Sequence, residues 1–424
     1  MRVLHVLNGV SGGAARSVAE LVEGMDGLGV TSFAICHDPR GVASAEREAL
    51  ERVFGDRLVY RDLYRWNRRI RARRVARPLM ALHQLWRTGG GWASAGAVER
   101  QAREVGAEVI HTNTFTVPDG AVAARALGLP HVWHVRELIG PDQPFRFYGG
   151  RRGFRQVVDG SEFVVNSPAT LSHFARLVPD ASTHVVPNGL DLAPLLEVAR
   201  HRGVAGASSD GVVVGMVANL TSTLKGHALF VDAAARCRDL PGVSFRLFGA
   251  DPVQVGGTSR TVRYAQQIHR QVDDAGLAER FDFAGYGSDP VAMMRAVDVL
   301  VVPNETESFG RVAVEAMASG AAVVAVDCDA LRFVLDDGRA GVLVAPRDAE
   351  ALADALSGLV RDPQRRSALA QAGTERAVEA FSIERCAAAI VEIYRSATAA
   401  PRAPVPLRSA WTRTIPLRAL GIGA

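Results

Sequence analysis

One pattern constrains this chain more than any other: a short β-branched run, a Gly- or Asn-containing turn, then an amphipathic helical stretch, and the whole series is traversed twice. Val3 to Leu7, Val30 to Cys36, Glu108 to Thr112, His131 to Val135 and Phe163 to Asn166 make the first strand series. Helical patterns such as Ala15 to Leu28 and Asp119 to Leu127 separate them. Strands alternating with helices imply a parallel sheet covered on both faces. The pattern pauses over Asp191 to Gly211, where His201 to Gly211 reads as a linker or irregular loop. It restarts with Val212 to Ala218, Ser244 to Gly249, Phe281 to Ala284, Val299 to Pro303, Ala322 to Val326 and Gly341 to Val344. A chain of 424 residues also exceeds the size at which one hydrophobic core keeps growing. The expectation is therefore α/β: two Rossmann-like, doubly wound domains over 1–186 and 187–382, a final helix at 383–396 crossing back to the first domain, and a flexible tail over 397–424. Ligands of such sheets bind outside the carboxyl ends of the strands, which predicts a site in a cleft between facing domains.

Composition narrows the function. With 48% apolar and 22% charged residues the chain builds cores and is not a disordered polymer. No apolar run reaches the length of a membrane-crossing helix, and Met1 to Val10 reads as a buried strand, not a signal peptide. The four cysteines are scattered without a CxxC, which argues against a zinc site or disulfide framework and for the reduced thiols of a cytosol. The net charge of +4 is uneven, because nine Arg against one Asp crowd the segment from Arg61 to Arg87. A single basic patch of this kind does not suit a nucleic-acid binder. Leu63, Trp66 and Ile70, and after them Val75, Leu79, Leu82 and Trp86, fall at helical spacing, interrupted at Pro78. A basic amphipathic stretch with aromatic residues fits an anionic membrane surface. Equally, its stripe can pack on its own domain with the Arg residues solvated. The expected localisation is cytoplasmic, with peripheral attachment to the inner face of the plasma membrane.

The strongest chemical signal is Val302-Pro-Asn-Glu-Thr-Glu307-Ser-Phe-Gly310-Arg-Val-Ala-Val-Glu315. A strand ends, a turn carries Glu307 to Gly310, and a helix begins near Arg311. Such a helix start points backbone N–H groups and a positive dipole outward, which suits a diphosphate. Glu307 stands at the mouth, able to accept hydrogen bonds from sugar hydroxyls. Glu315, about one turn into the helix, is placed to hold the two hydroxyls of a ribose.

This string resembles the E-x7-E signature of the large retaining glycosyltransferase family 4, which has the GT-B fold. Other segments match the family in order: Ser11-Gly12-Gly13-Ala14, the Gly-rich first loop; Val109 to Asn113; His131 to Glu137; the hinge segment Val185-Val-Pro-Asn188-Gly-Leu-Asp191; and Lys225-Gly226. The resemblance implies a metal-independent enzyme that moves a hexose-type sugar from a nucleoside-diphosphate donor to a glycan or lipid-linked acceptor in envelope or polysaccharide biosynthesis. No cofactor is implied beyond the nucleotide sugar as co-substrate. Glu307, His134 and Lys225 take the catalytic roles. Gly12, Gly13, Asn219, Ser308, Phe309, Gly310, Arg311 and Glu315 bind the donor, and His111, Asn113, Arg136 and Glu137 lie near the sugar or acceptor. A leaving nucleoside diphosphate builds negative charge, and a fixed cation with aimed N–H groups meets it.

Two departures stand out. Where the family has an Arg shortly before the Lys, this chain offers Asn219, and the usual Gly-Gly-x-x-Glu after the next strand is replaced by Asp327-Cys-Asp329-Ala-Leu-Arg332. Asp327-Cys-Asp329 is formally a D-x-D metal pair, a spacing that chance readily produces. A nucleotide-sugar epimerase of the same fold and a sugar-nucleotide-binding protein with a weakened site are the competing readings.

Overall fold

A computed structural model describes residues 1–10, 12–37, 45–63, 67–69, 93–139, 145–147, 155, 157–205, 211–285, 287, 289–399 and 402–405. The chain divides into two units, Met1–Gly189 with Ile383–Ala424, and Leu190–Ser382. The first is built on β1 (Arg2–Leu7), β2 (Thr31–His37), β3 (Leu58–Arg61), β5 (Val109–Thr112), β6 (His131–Val135), β8 (Glu162–Val165) and β9 (Thr183–Val185). They form one parallel sheet in the order β3-β2-β1-β5-β6-β8-β9. A separate antiparallel pair joins β4 (Asn67–Arg69) to β7 (Phe145–Phe147). The second unit carries β10 (Val212–Val217), β11 (Val243–Phe248), β12 (Phe281–Gly285), β13 (Val299–Val302), β14 (Ala322–Val326) and β15 (Val342–Val344), parallel in the order β12-β11-β10-β13-β14-β15.

Both orders reverse at an interior strand pair, β1 with β5 and β10 with β13. The loops leaving those strands diverge to opposite faces, and a crevice opens at their carboxyl ends. Side-chain alternation explains the double covering. In β1, Val3 packs with Ile390 and Tyr394, whereas Leu4 packs on the opposite face with Val98 and Ala123. In β13, Val299 and Val301 join Phe230 and Leu356, and Leu300 and Val302 join Val314 and Met317.

The helix Ile383–Thr398 completes the first unit. Ile383, Cys386, Ala387, Ile390, Tyr394 and Ala397 recur at three- and four-residue spacing and are all buried. Each fully buried Ile contributes about 1.5–3 kcal/mol. Residues 402–405, which composition alone assigns to a flexible tail, are held to the same unit. Val405 N donates to Arg125 O at 3.1 Å, and Arg402 donates to Gly160 O.

Two local expectations are corrected. The helix Ala193–Ala205, anchored by buried Leu195 and Val198, runs to Ala205 into the stretch read as a linker from His201. Residues 67–69, placed by spacing on an amphipathic helix, are the strand β4, and Leu63 is buried in the core of the first unit. Short apolar runs do not distinguish the two periods, and sheet pairing decided this one. Residues 64–66 and 70–92, most of the basic segment, lie outside the described residues. Among the described residues no helix is long and apolar enough to cross a membrane.

Ile390→Ala should cost the first unit about 2–5 kcal/mol, the range for truncating a fully buried side chain. Hydrogen exchange should accelerate in β1 and β5 and stay unchanged in β10 and β13; uniform acceleration would show that the helix is not specific to that sheet.

Candidate active site

In the second unit the crevice is framed by the loops after β10 and β13. Residues Thr223–Lys225 form a single tight helical turn, started by Ser222 Oγ accepting from Leu224 N at 3.2 Å. Gly226 follows with φ 77°. A Cβ there would lie 2.2 Å from the Pro303 carbonyl oxygen, so the two loops meet backbone to backbone. This contact brings Lys225 to Glu307 across 82 residues of sequence, Nζ to Oε2 at 3.3 Å. The same oxygen accepts from Asn304 Nδ2 at 2.7 Å, and Oε1 accepts from Ser308 N at 3.1 Å. Three donors thus fix the carboxylate.

Gly310, with φ 96°, turns the chain into the helix Arg311–Ala318. The first N–H groups of such a helix lack intrahelical partners and carry its positive end. Arg311 Nε donates to Glu315 Oε1 at 2.9 Å, and the Glu315 side chain is almost fully buried. Phe309 turns inward against Phe381, with ring centroids 5.5 Å apart. Its side chain is core, leaving only its backbone for a ligand. The arrangement joins an anion-attracting helix start and lysine to two carboxylates able to accept from hydroxyl groups.

The first unit assembles a different constellation. His5 and His111 are register partners across β1 and β5, and His134 stands on β6 beside them. The His111 and His134 rings stack with centroids 5.4 Å apart and planes 9° apart, and His5 lies 5.2 Å from His111. All three are fully buried. Asn113 Nδ2 contacts His5 Nδ1 at 3.2 Å, His5 Nε2 contacts Ser32 Oγ at 3.3 Å, and His111 Nδ1 bonds Tyr394 Oη. Arg136 reaches His134 Nδ1 at 3.3 Å and also bonds Asn188 Oδ1. Burial first, and Arg136 second, push His5 down to about 3. Burial also holds His134 well below the ordinary imidazole value, helped by Arg136 and His5, and does the same to His111 beside those charges. Glu137 accepts from Thr114 Oγ1 at 2.9 Å, yet burial raises its carboxyl above the usual range.

Comparison with known proteins places these two constellations in context. The family model for glycosyltransferase family 4 matches residues 11–194, and that for glycosyl transferases group 1 matches residues 198–376. The alpha-maltose-1-phosphate synthase of Mycolicibacterium smegmatis is 31% identical over 323 residues, 69% of this chain and 80% of that protein. The chain belongs to glycosyltransferase family 4. A D-inositol 3-phosphate glycosyltransferase of Saccharomonospora viridis is 34% identical over 259 residues, and the match spans 59% of each protein. The phosphatidyl-myo-inositol mannosyltransferase of Mycobacterium leprae is 37% identical over 214 residues, 50% of this chain and 53% of that one. The chain thus spans little more than half the length of these two inositol-named relatives. Anabaena HepE in complex with UDP shares the fold at a TM-score of 0.70 and 21% identity, covering 93% of this chain and all of that one.

Within this family 4 chain the structure gathers Lys225, Glu307, Ser308, Gly310, Arg311 and Glu315 in the second unit. Asn219 is used structurally, its Oδ1 accepting from Ala250 N at 2.7 Å, and it brings no charge where the family has Arg. Arg332 is ion-paired to Asp327, and Asp329 opens the helix Asp329–Val334. In the first unit, Gly12 and Gly13 are exposed at the start of the helix Gly13–Gly24, His111 and His134 lie on β5 and β6, and Asn113, Arg136 and Glu137 follow those strands. His134, expected in a catalytic role, is fully buried, with His111 stacked on it and Arg136 at 3.3 Å. Sequence reasoning missed Asn304, although it stands only three residues before Glu307, and Tyr394, which lies 283 residues from its partner His111 and leaves no local signal.

The buried imidazoles set a pH limit on stability. His131 is also pushed down to about 3 and His227 to about 4, chiefly by burial. Their folded values lie below the unfolded one, so stability is full above about pH 6.5 and falls as the unfolded chain takes up protons. Below that pH each such group costs about 1.4 kcal/mol per pH unit. The urea midpoint should drop steeply between pH 6.5 and 5, and less so in His131→Gln; a flat profile would show that these rings protonate in the native state.

Proposed function

We propose that this chain transfers a sugar from a nucleoside-diphosphate donor to a hydroxyl group of a glycan or lipid-linked acceptor, with retention of anomeric configuration. The observation that carries the reading is the Lys225–Glu307 pair at 3.3 Å, set at the strand-order reversal beside a helix start. Lys225 is half-exposed and the first turn of the helix Arg311–Ala318 supplies backbone N–H groups, which together meet the charge of a diphosphate. Glu307 accepts from donor-sugar hydroxyls, and Glu315 from the ribose. The Anabaena protein's complex with UDP supports a nucleotide in this fold. The Mycobacterium leprae relative's name supports a lipid-linked acceptor, and the basic segment at 61–87 would bring the chain to an anionic membrane surface.

In the reaction the bond from the anomeric carbon to the phosphate oxygen breaks and the acceptor oxygen bonds to that carbon on the same face. The acceptor proton passes to the departing phosphate oxygen, so no side chain need serve as base. Charge grows on the diphosphate as the bond opens, and Lys225 with the helix amides stabilises it most at that moment. In this reading the transfer needs no metal, because Lys225 and the helix amides meet the diphosphate charge.

A thermal-shift panel of UDP, GDP and ADP with their sugars should show one preferred donor, since a ligand that binds only the native state stabilises it. That donor should release its nucleoside diphosphate on transfer or slow hydrolysis. Lys225→Met should lower kcat/KM by about 100- to 1000-fold, the cost of one stabilising donor. Formation of a 2-epimer would identify an epimerase instead, and absence of any shift and any release across the panel would overturn the proposal.

A further inference from the structure

Arg311 stands at one of the seven unspecified positions between Glu307 and Glu315, so the E-x7-E string itself says nothing of its charge. It is the first residue of the helix Arg311–Ala318, next to the helix's positive end. A cation in that place is unfavourable unless an anion answers it. Here Glu315 answers it, accepting from Arg311 Nε at 2.9 Å. Both side chains are largely buried, 16% exposed for Arg311 and 5% for Glu315.

The charges at the crevice of the second unit thus come in two pairs, Lys225 with Glu307 and Arg311 with Glu315. The pairs adjoin, since a Cβ on Gly310 would lie 3.9 Å from Glu307 Cγ and Arg311 is the next residue. A nucleoside diphosphate brings more negative charge than one lysine can answer. The loop after β10 offers no second cation, because Asn219 is neutral and its Oδ1 accepts from Ala250 N at 2.7 Å. Two other arginines of nearby loops are engaged elsewhere. Arg332 pairs with Asp327, and Arg347 holds Glu305 through Nε and Nη2 with its side chain 81% exposed. Neither of their carboxylates has a part in the proposed complex. Arg311 differs, because its partner is the carboxylate read as the ribose ligand.

We propose that Arg311 supplies the second positive charge to the diphosphate, its guanidinium passing from Glu315 to the phosphate oxygens as the donor's ribose hydroxyls take over that carboxylate. The inference deepens the transferase reading and rests on it for the identity of the ligand. A guanidinium presents its N–H donors as a planar fork that suits a carboxylate and a phosphate equally, so the exchange costs little geometry. Pairing is conserved through it: Glu315 loses a cation and gains hydroxyl donors, and Arg311 loses a carboxylate and gains phosphate oxygens. A nucleoside without phosphates completes only half of the exchange. Its ribose takes Glu315, and Arg311 gains nothing in return. Ribose and diphosphate therefore assist one another's binding.

The test is isothermal titration of the full chain with UDP, GDP and ADP, with the matching nucleosides and with inorganic pyrophosphate. For the diphosphate that the wild type prefers, Arg311→Met should raise Kd by on the order of 10- to 100-fold, the cost of a lost hydrogen bond to a charged group. The matching nucleoside should bind no more weakly than to the wild type. Arg311→Lys should keep most of the diphosphate affinity, and Asn219→Arg added to Arg311→Met should restore part of it by placing a cation on the loop after β10. An unaltered diphosphate Kd in Arg311→Met would overturn the proposal. So would equal weakening of nucleoside and diphosphate, which would mark Arg311 as a support for the helix alone. The wild type answers without any variant as well. With 15N-labelled arginine, the Arg311 Nε–H signal should move on saturation with the diphosphate; a signal that stays would overturn the proposal even if Arg311→Met failed to fold. A wild type that binds pyrophosphate through Arg311 but none of the nucleotides would sink the transferase reading and leave the charge assignment standing.

Discussion

The second unit depends on the approach of Gly226 to the carbonyl of Pro303. Any side chain at 226 would collide with that oxygen, and the residue's positive φ excludes most others as well. The same closeness recurs one strand over, where a Cβ on Gly249 would lie 2.1 Å from the Ala218 oxygen. The ends of β10, β11 and β13 thus form a platform of bare backbone. Lys225 and Glu307 rise from it at a separation that no flexible loop pair would hold. On the proposed function, an incoming diphosphate would compete with Glu307 for the lysine it already shares, while Asn304 and Ser308 still hold the carboxylate.

The fold class was legible because period-two and period-3.6 patterns alternate cleanly over most of the chain. Where the text is short, the signal fails. Asn67 to Arg69 reads as helix by the spacing of its flanking residues, yet it pairs with Phe145–Phe147, a partner that no local window contains. His201 to Ala205 reads as linker because His201, Arg202 and Gly203 dilute the apolar pattern, yet it continues the helix from Ala193, which buried Leu195 and Val198 and the Arg202–Asp298 pair hold.

The candidate site divides along the same line. Glu307, Gly310 and Glu315 share one turn-and-helix string, so their spacing carries the geometry. Lys225 was found by resemblance, and the strand order β10-β13 explains why it is close. Nothing local marks Tyr394 or Asn188 as partners of the histidine row, because the return of the last helix and the close packing of Gly189 against Ile383 and Cys386 bring them there. Nor does sequence tell a polar strand residue facing a crevice from one facing other polar residues. His5, His111 and His134 are brought side by side in a way that only the sheet register reveals.

The helix Ile383–Thr398 has one more implication. It belongs to the first sheet but is encoded after the entire second unit, whose own ends lie side by side, with Leu190 N donating to Phe381 O at 2.9 Å. The second unit is therefore an insertion with closed ends. On a ribosome, residues 190–382 can reach their native contacts while Val3, Val109 and Val132 still await Ile390 and Tyr394. The half of the molecule that is made first is the half that closes last, and its apolar sheet face must stay out of trouble for most of the time the chain takes to be made.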